Sequence, residues 1–228
     1  YPREGEPDWD AEEPDSYSAH LFFHALDSAA DGSSDPLVYR PQNKTDFVGP
    51  AVSPDDRWLV LNVFRGWSES DVWLLDRTTE GAEPVAVDVG GDHLVVGDVH
   101  GDRLYLSTNE DHPRTRIVAA PLDAPADRSR WTEIVPEGDG NLESWSFAED
   151  LLAVRTTEDL AGRLRLYDAD GAPKGEIPLP TAGQVSGPAT GRHSSRVVFE
   201  FSSYFYAPVL YAFDPAAGEP EKIDGVVA

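Results

Sequence analysis

Cysteine and methionine are both absent from this chain of 228 residues. The absence of cysteine excludes disulfides, thiolate nucleophiles and cysteine-based metal sites, and it leaves the redox compartment open. Lysine is scarce, because it occurs only at Lys44, Lys174 and Lys222 while arginine supplies most of the positive charge. With no methionine at its start, a chain that begins Tyr1-Pro2 is expected to be a segment of a longer protein.

Long apolar runs and catalytic motifs are missing as well. No stretch approaches the roughly 18 apolar residues that a membrane helix needs, so no membrane partner is expected. No signal peptide is visible, which favours a cytoplasmic location and leaves secretion open. We find no phosphate loop and no metal box, and GWSES at 66–70 lacks the second glycine of a nucleophile elbow. We therefore predict no catalytic residue, no metal ligand and no cofactor within this chain.

Two weak metal patterns support that prediction. Histidines and acids at 92–93, 100 and 111–112 are scattered over turns, whereas a metal site needs three or four converging ligands. The DADG sequence at 168–171 superficially resembles a calcium loop, but Leu179 stands where the loop needs a bidentate glutamate. We interpret both patterns as turns.

Positive charge is outnumbered: 18 basic residues face 42 acidic ones, for a formal net charge of −24. This balance argues against nucleic acid and against anionic membrane surfaces as partners. A solvated acidic surface explains the charge most simply, and a cationic ligand is the alternative. Hydrophobic residues at 40% and aromatic residues at 10% are enough to build a buried core.

What the chain does contain is a repeat of short apolar strands and polar turns. The clearest copy has apolar strands near 48–53, 57–64, 71–76 and 84–89, with the turn SPDD at 53–56. Repeats of about 40 to 50 residues with four strands each are typical of β-propellers. We predict an all-β propeller of about four complete four-stranded blades plus a half blade. Because the half blade stands outside four complete units, an open arc of a larger ring is expected.

The predicted organisation is a single partial propeller domain over 1–228. An acidic, proline-containing loop at 1–18 precedes the half blade at 19–41. The complete blades are predicted at 47–89, 93–136, 142–179 and 183–224. The half blade is predicted to open with a strand at 19–26, and a strand at 175–179 is predicted to close the third complete blade.

The order of these units and their turns resembles the propeller domain of the prolyl oligopeptidases, serine peptidases that cut small peptides after proline. The resemblance is spread over the whole chain and depends on the order and spacing of its segments. They are the Tyr1-Pro2 start before the acidic loop, the strand at 21–26, SPDDR at 53–57, STNEDHPR at 107–114, WTEIVPE at 131–137, LRLYD at 164–168, and 199–211. It implies that the chain covers roughly the second half of a seven-bladed propeller.

The resemblance also implies a function. In that family the catalytic Ser, Asp and His lie in an α/β-hydrolase domain, which is absent here, so the chain alone is predicted to be inactive. The family's propeller excludes large substrates and lines part of the pocket for the residue two before the scissile proline. The matching positions are Val48 and Trp67, with Arg65 as a further substrate-binding candidate. The expected partners are that hydrolase domain of the same parent protein and short proline-containing peptides.

Several alternatives stay open. At the position that matches Gly66, the family usually has a glycine followed by Thr or Cys and then Asp-Pro-x-Asn. This chain has GWSESD at 66–71 instead, which changes the expected shape of the pocket. Trp67 could pack between blades like Trp58 or Trp73, and Arg65 could be an ordinary surface residue. The loop at 1–18 is either a gate at the domain interface or merely solvated. A free-standing, TolB-like binding propeller is the alternative function, and a glycosidase-like propeller lacks a visible carboxylate pair.

Overall fold

The described part of the chain is built almost entirely of β-strands. The computed structural model describes residues 19–28, 31–191 and 194–223, so the predicted acidic loop at 1–18 lies outside the described residues. Within these ranges there are eighteen strands and one 3-10 helix, Arg128–Arg130. The strands form one two-stranded sheet and four four-stranded sheets, each with its strands in chain order. The predicted all-β fold, with four complete sheets and a half sheet, is confirmed.

The described residues divide into two compact units, within 1–99 and within 100–228. The first unit contains the strands β1 (Leu21–Phe22), β2 (Leu37–Tyr39), β3 (Phe47–Val52), β4 (Trp58–Phe64), β5 (Ser70–Asp76), β6 (Val85–Asp88) and all but the last residue of β7 (Val95–His100). β1 pairs with β2, and β3 to β6 form an antiparallel meander.

The second strand of that meander, β4, explains why the sheet is stable. Five successive residues, 59–63, are buried, because β4 is central in the sheet and is covered on both faces. Its core residues Leu59, Leu61 and Val63 pack with Val48 of β3. Residues of the half sheet and of β5, among them Tyr39 and Trp73, complete this cluster, which attaches the half sheet to its neighbour.

The second unit contains β8 (Arg103–Thr108), β9 (Arg116–Pro121), β10 (Thr132–Val135), β11 (Asn141–Ala148), β12 (Leu151–Glu158), β13 (Ala161–Asp168), β14 (Pro173–Glu176), β15 (Gln184–Thr190), β16 (Val197–Ser203), β17 (Tyr206–Phe213) and β18 (Pro220–Lys222). Apolar clusters lie between successive sheets of this unit. One joins Tyr105 and Ile117 to Leu152, and another joins Leu164 and Ile177 to Phe199. The faces of the sheets are therefore the core of the unit.

Polar side chains on the second strands connect sheets to the strands that follow. In the first unit the side-chain amide of Asn62 donates to Gly97 O at 3.1 Å and accepts from Gly97 N at 2.7 Å. In the second unit Arg155 Nη1 donates to Val185 O at 2.7 Å. These bonds satisfy polar groups that would otherwise be buried without a partner.

Two predicted strands differ from the observed ones. The strand expected at 19–26 is only Leu21–Phe22, because its partner β2 is three residues long and their register shifts. The closing strand expected at 175–179 is instead Pro173–Glu176. The apolar residues that suggested a strand, Ile177 and Leu179, instead pack into the core from the connection after β14. Ile177 is fully buried there. In the described residues no helix is long and apolar enough to cross a membrane.

Candidate functional site

The three predicted substrate-binding residues lie at one end of the sheet β3 to β6. Val48 is the second residue of β3 and pairs with Val63 of β4, while Arg65 and Trp67 follow directly after β4. Because the start of β3 pairs with the end of β4, Val48 lies at the same end of the sheet as the hairpin that links β4 to β5. We call residues 65–69 the Trp67 hairpin.

Trp67 and Val48 differ sharply in exposure. The side chain of Trp67 is 100% exposed, whereas Val48 is 8% exposed and belongs to the apolar core. Packing between sheets, the alternative role for Trp67, is therefore not what the described residues show. Gly66 precedes it with φ +94, a left-handed backbone conformation that favours glycine and that turns the chain here.

An aromatic pair that the sequence did not single out lies beside the hairpin. Phe47 is adjacent to Val48 in β3 and points to the opposite face of the sheet, where it is 62% exposed. Its ring centroid is 6.5 Å from that of Phe64, the cross-strand partner of Phe47 in β4. The period-two alternation of β3 was the signal that could have identified Phe47 as an outward-facing aromatic residue.

Arg65 is committed to its own unit. Its Nη1 is 2.8 Å from Glu69 Oε2, and its Nε is 3.1 Å from Asp71 Oδ1. Its Nη2 donates to the backbone carbonyl of Gly91. The side chain is 22% exposed, so part of it remains in contact with solvent.

The segment that follows β6 supports the same hairpin, and we call residues 89–94 the β6–β7 connection. Gly90 N donates to Asp71 Oδ1 at 2.8 Å, and Ser70 N donates to His93 O at 3.0 Å. Ser70 Oγ donates to Val95 O at 2.6 Å and accepts from Val95 N at 2.7 Å. The start of β5, directly after the hairpin, is thus bonded to this connection and to β7.

Electrostatics on the inner side of the sheet are set by burial. Burial of the Tyr39 hydroxyl raises its pKa, and the negative charges of Asp71 and Asp46 raise it further. Its ring lies 6.0 Å from that of Trp73 in the apolar core. Tyr39 therefore stays neutral and packs in the core. The exposed aromatic area of Trp67 and Phe47, by contrast, is available to an apolar or aromatic group.

Comparison with known proteins agrees with this fold over nearly the whole chain. The family model for the prolyl oligopeptidase N-terminal β-propeller domain matches residues 2–225. A prolyl endopeptidase of Elizabethkingia meningoseptica is 24% identical over 203 residues, which are 88% of this chain and 28% of that protein. A dipeptidyl aminopeptidase BI of Pseudoxanthomonas mexicana is 26% identical over 215 residues, with the same shares. The chain thus spans less than a third of these relatives' length.

Solved structures show the same likeness. A chain from a study of two prolyl endopeptidases, concerned with inter-domain dynamics in catalysis and specificity, aligns with a TM-score of 0.83 and 25% identity. The alignment covers 96% of this chain and 32% of that one. Prolyl oligopeptidase B of Galerina marginata in its apo form aligns with a TM-score of 0.77 at 16% identity, over 94% of this chain and 31% of its own, which supports the fold alone.

Proposed function

The chain belongs to the prolyl oligopeptidase family, as part of its N-terminal β-propeller domain, and from this membership we propose that it serves a serine peptidase that cuts short peptides after proline. Its role is to restrict access to the active site and to line part of the substrate pocket. The catalytic residues belong to a hydrolase domain outside this chain, and that domain is the partner of the propeller. The relatives by name are peptidases, and they extend well beyond the segment matched here.

The observation that carries this proposal is the full exposure of Trp67 on a hairpin that is hydrogen-bonded to its surroundings. A fully exposed tryptophan adds no buried apolar area to its own domain. A group that binds against it removes a large apolar area from water. We propose that Trp67 forms one wall of the subsite for the residue two before the scissile proline.

Val48 takes a supporting role in this proposal. Val48 is 8% exposed, so it packs at the end of the sheet next to the hairpin and offers little contact area to a substrate. Arg65, which is bonded to Glu69, Asp71 and Gly91, keeps the hairpin in place.

The first test is peptide cleavage by the full-length parent protein with Trp67→Ala and Val48→Ala. Substrates carry proline at the cleavage site and either a large apolar residue or alanine two positions before it. We expect Trp67→Ala to reduce the preference for the large residue about 10-fold, the range that a lost apolar contact gives. Val48→Ala should change this preference less and should lower thermal stability, because it shortens a core side chain.

Phe205→Ala is the matched control, since Phe205 is an aromatic residue 86% exposed on the hairpin between the second and third strands of another sheet. It should leave the preference unchanged. The segment 1–228 by itself should cleave none of these peptides. Cleavage by the isolated segment, or a parent with no proline-directed activity, contradicts the proposal, and the second result favours a free-standing binding propeller instead.

A further inference from the structure

Arg65 of the Trp67 hairpin and the first residues of β5 are hydrogen-bonded to the β6–β7 connection. Arg65 reaches across from the hairpin to Gly91 O, and Gly90 N reaches back to Asp71. Asp71 Oδ1 therefore accepts from both segments at once, from Arg65 Nε at 3.1 Å and from Gly90 N at 2.8 Å. Arg65 N also donates to Glu69 O at 2.9 Å and closes the base of the hairpin.

The connection itself is anchored in the interior. His93 Nε2 lies 3.2 Å from Asp88 Oδ2, and both side chains are at least nine-tenths buried. Gly91 packs so tightly that an added Cβ would come within 2.2 Å of the His93 ring. The residue whose carbonyl accepts from Arg65 thus packs directly against the buried His93 ring, which is itself paired with Asp88.

We propose that Arg65, Asp71 and Gly91 are positioning residues that determine, through Trp67, which residue is accepted two positions before the scissile proline. This proposal rests on the function proposed above. The planar guanidinium binds its acceptors in a fixed geometry, which lysine cannot reproduce. Fixing the backbone beside Trp67 limits the positions that its exposed indole can take, so less conformational freedom is lost when a substrate side chain packs against it.

A double-mutant cycle in the full-length parent tests this inference. The variants are Arg65→Lys, Trp67→Ala and the pair combined, and the readout is the ratio of kcat/KM for the two peptides described above. We expect Arg65→Lys to reduce the preference about 5-fold through a higher KM, with kcat unchanged. The combined variant should match Trp67→Ala alone, because a residue that acts only through Trp67 has no effect once Trp67 is gone.

Arg57→Lys is the matched control for this cycle. Arg57 also makes a two-nitrogen contact with a carboxylate, with Nη2 2.7 Å and Nε 3.2 Å from Asp76 Oδ2, but at the opposite end of β4. It should leave the preference unchanged. Asp71→Asn repeats the test if Arg65→Lys folds poorly, since it keeps the shape of the acceptor and removes its charge.

Amide hydrogen exchange gives a second readout that does not depend on activity. Arg65→Lys should raise exchange at residues 65–70 about 10-fold, while Arg57→Lys should not. Additive effects in the cycle would mean that Arg65 contacts substrate directly, and an unchanged preference would mean that the hydrogen bonds of Arg65 have no role in specificity. Either result overturns the inference while leaving an effect of Trp67→Ala intact; if Trp67→Ala itself has no effect, both proposals fail.

Discussion

Single polar side chains determine how the apolar strands of this protein are joined. Asn62 is buried in a strand of Leu, Val and Phe, and its amide makes two hydrogen bonds with the backbone of Gly97. Apolar substitution would remove both bonds and leave a backbone donor and an acceptor of β7 without these partners. The net gain from one hydrogen bond is about 1 kcal/mol, but a buried group left unpaired costs about 1–3 kcal/mol. Replacing the one polar residue in this hydrophobic run can therefore cost more stability than its hydrogen bonds contribute.

His100 is a residue whose environment makes stability depend on pH. Its ring stacks on Phe147 with centroids 3.9 Å apart and planes inclined by 3°. Burial lowers the pKa of His100 below its ordinary value of 6.5, and this effect exceeds the opposing attraction of Asp150. The folded state thus disfavours the protonated imidazole relative to the unfolded chain.

We predict that this residue weakens the fold as the pH falls. Above about pH 6.5 both states are neutral at this site, whereas below it the unfolded state binds the proton first and the free energy of unfolding decreases. His100→Phe keeps the stack and removes the proton site. Urea unfolding at pH 7.5 and pH 5.5 should show the variant gaining stability relative to the unmodified protein at the lower pH. A difference that does not change with pH would contradict this account.

Among the structural elements, the hairpins carry the clearest strain. β12 and β13 are joined by Asp159 and Leu160, which have φ values of +46 and +65. Positive φ at both central residues is the type I′ geometry that suits the twist of paired strands, and asparagine followed by glycine is its usual sequence. Leu160 is 86% exposed, so no packing of its side chain compensates the unfavourable backbone.

Leu160→Gly is predicted to stabilise the protein. A left-handed conformation costs a residue with a Cβ about 1–2 kcal/mol, and the larger chain entropy of glycine offsets about 0.5–1 kcal/mol of the relief. The expected net gain is about 0.5–1 kcal/mol, measured by urea unfolding. Tyr204→Gly is the control, because Tyr204 occupies the β16–β17 turn without a positive φ and should gain nothing. A loss of stability in Leu160→Gly would show that the leucine side chain has a partner.

At the scale of the whole molecule, net charge is the dominant electrostatic feature. A formal charge of −24 repels itself throughout the fold, and exposed ion pairs such as Arg57 with Asp76 offset it only locally. Each exposed pair contributes between about 0 and 1 kcal/mol, and salt screens attraction and repulsion alike. With 42 acidic and 18 basic residues, repulsion is the larger sum.

We therefore predict that salt stabilises this protein. The thermal unfolding midpoint should rise between 0.02 and 0.5 M NaCl at neutral pH, since the self-repulsion of a highly charged compact state is screened. The same series in sodium sulfate would add a surface-exclusion effect and should not be used alone. A falling midpoint would mean that the ion pairs contribute more than the net repulsion.

Much of the fold could be predicted from the sequence, because its determinants are local. The nearly continuous apolar run after the turn formers at 53–56 identifies β4 closely, predicted at 57–64 and observed at Trp58–Phe64. The errors occur where a partner strand limits pairing, as in β1, or where an apolar residue fills the core from a connection, as Ile177 does. Both depend on segments distant in the chain.

For the candidate site, the residue types at the sheet end can be taken from the sequence alone: a tryptophan after a glycine, an arginine before it and a valine in the neighbouring strand. Their roles in binding substrate stay predictions. Folding leaves Trp67 exposed and Val48 buried, and it brings Arg65 to Gly91, 26 residues further on. Exposure and hydrogen-bond partners are properties of surfaces brought together by folding, and no local pattern of residues specifies them.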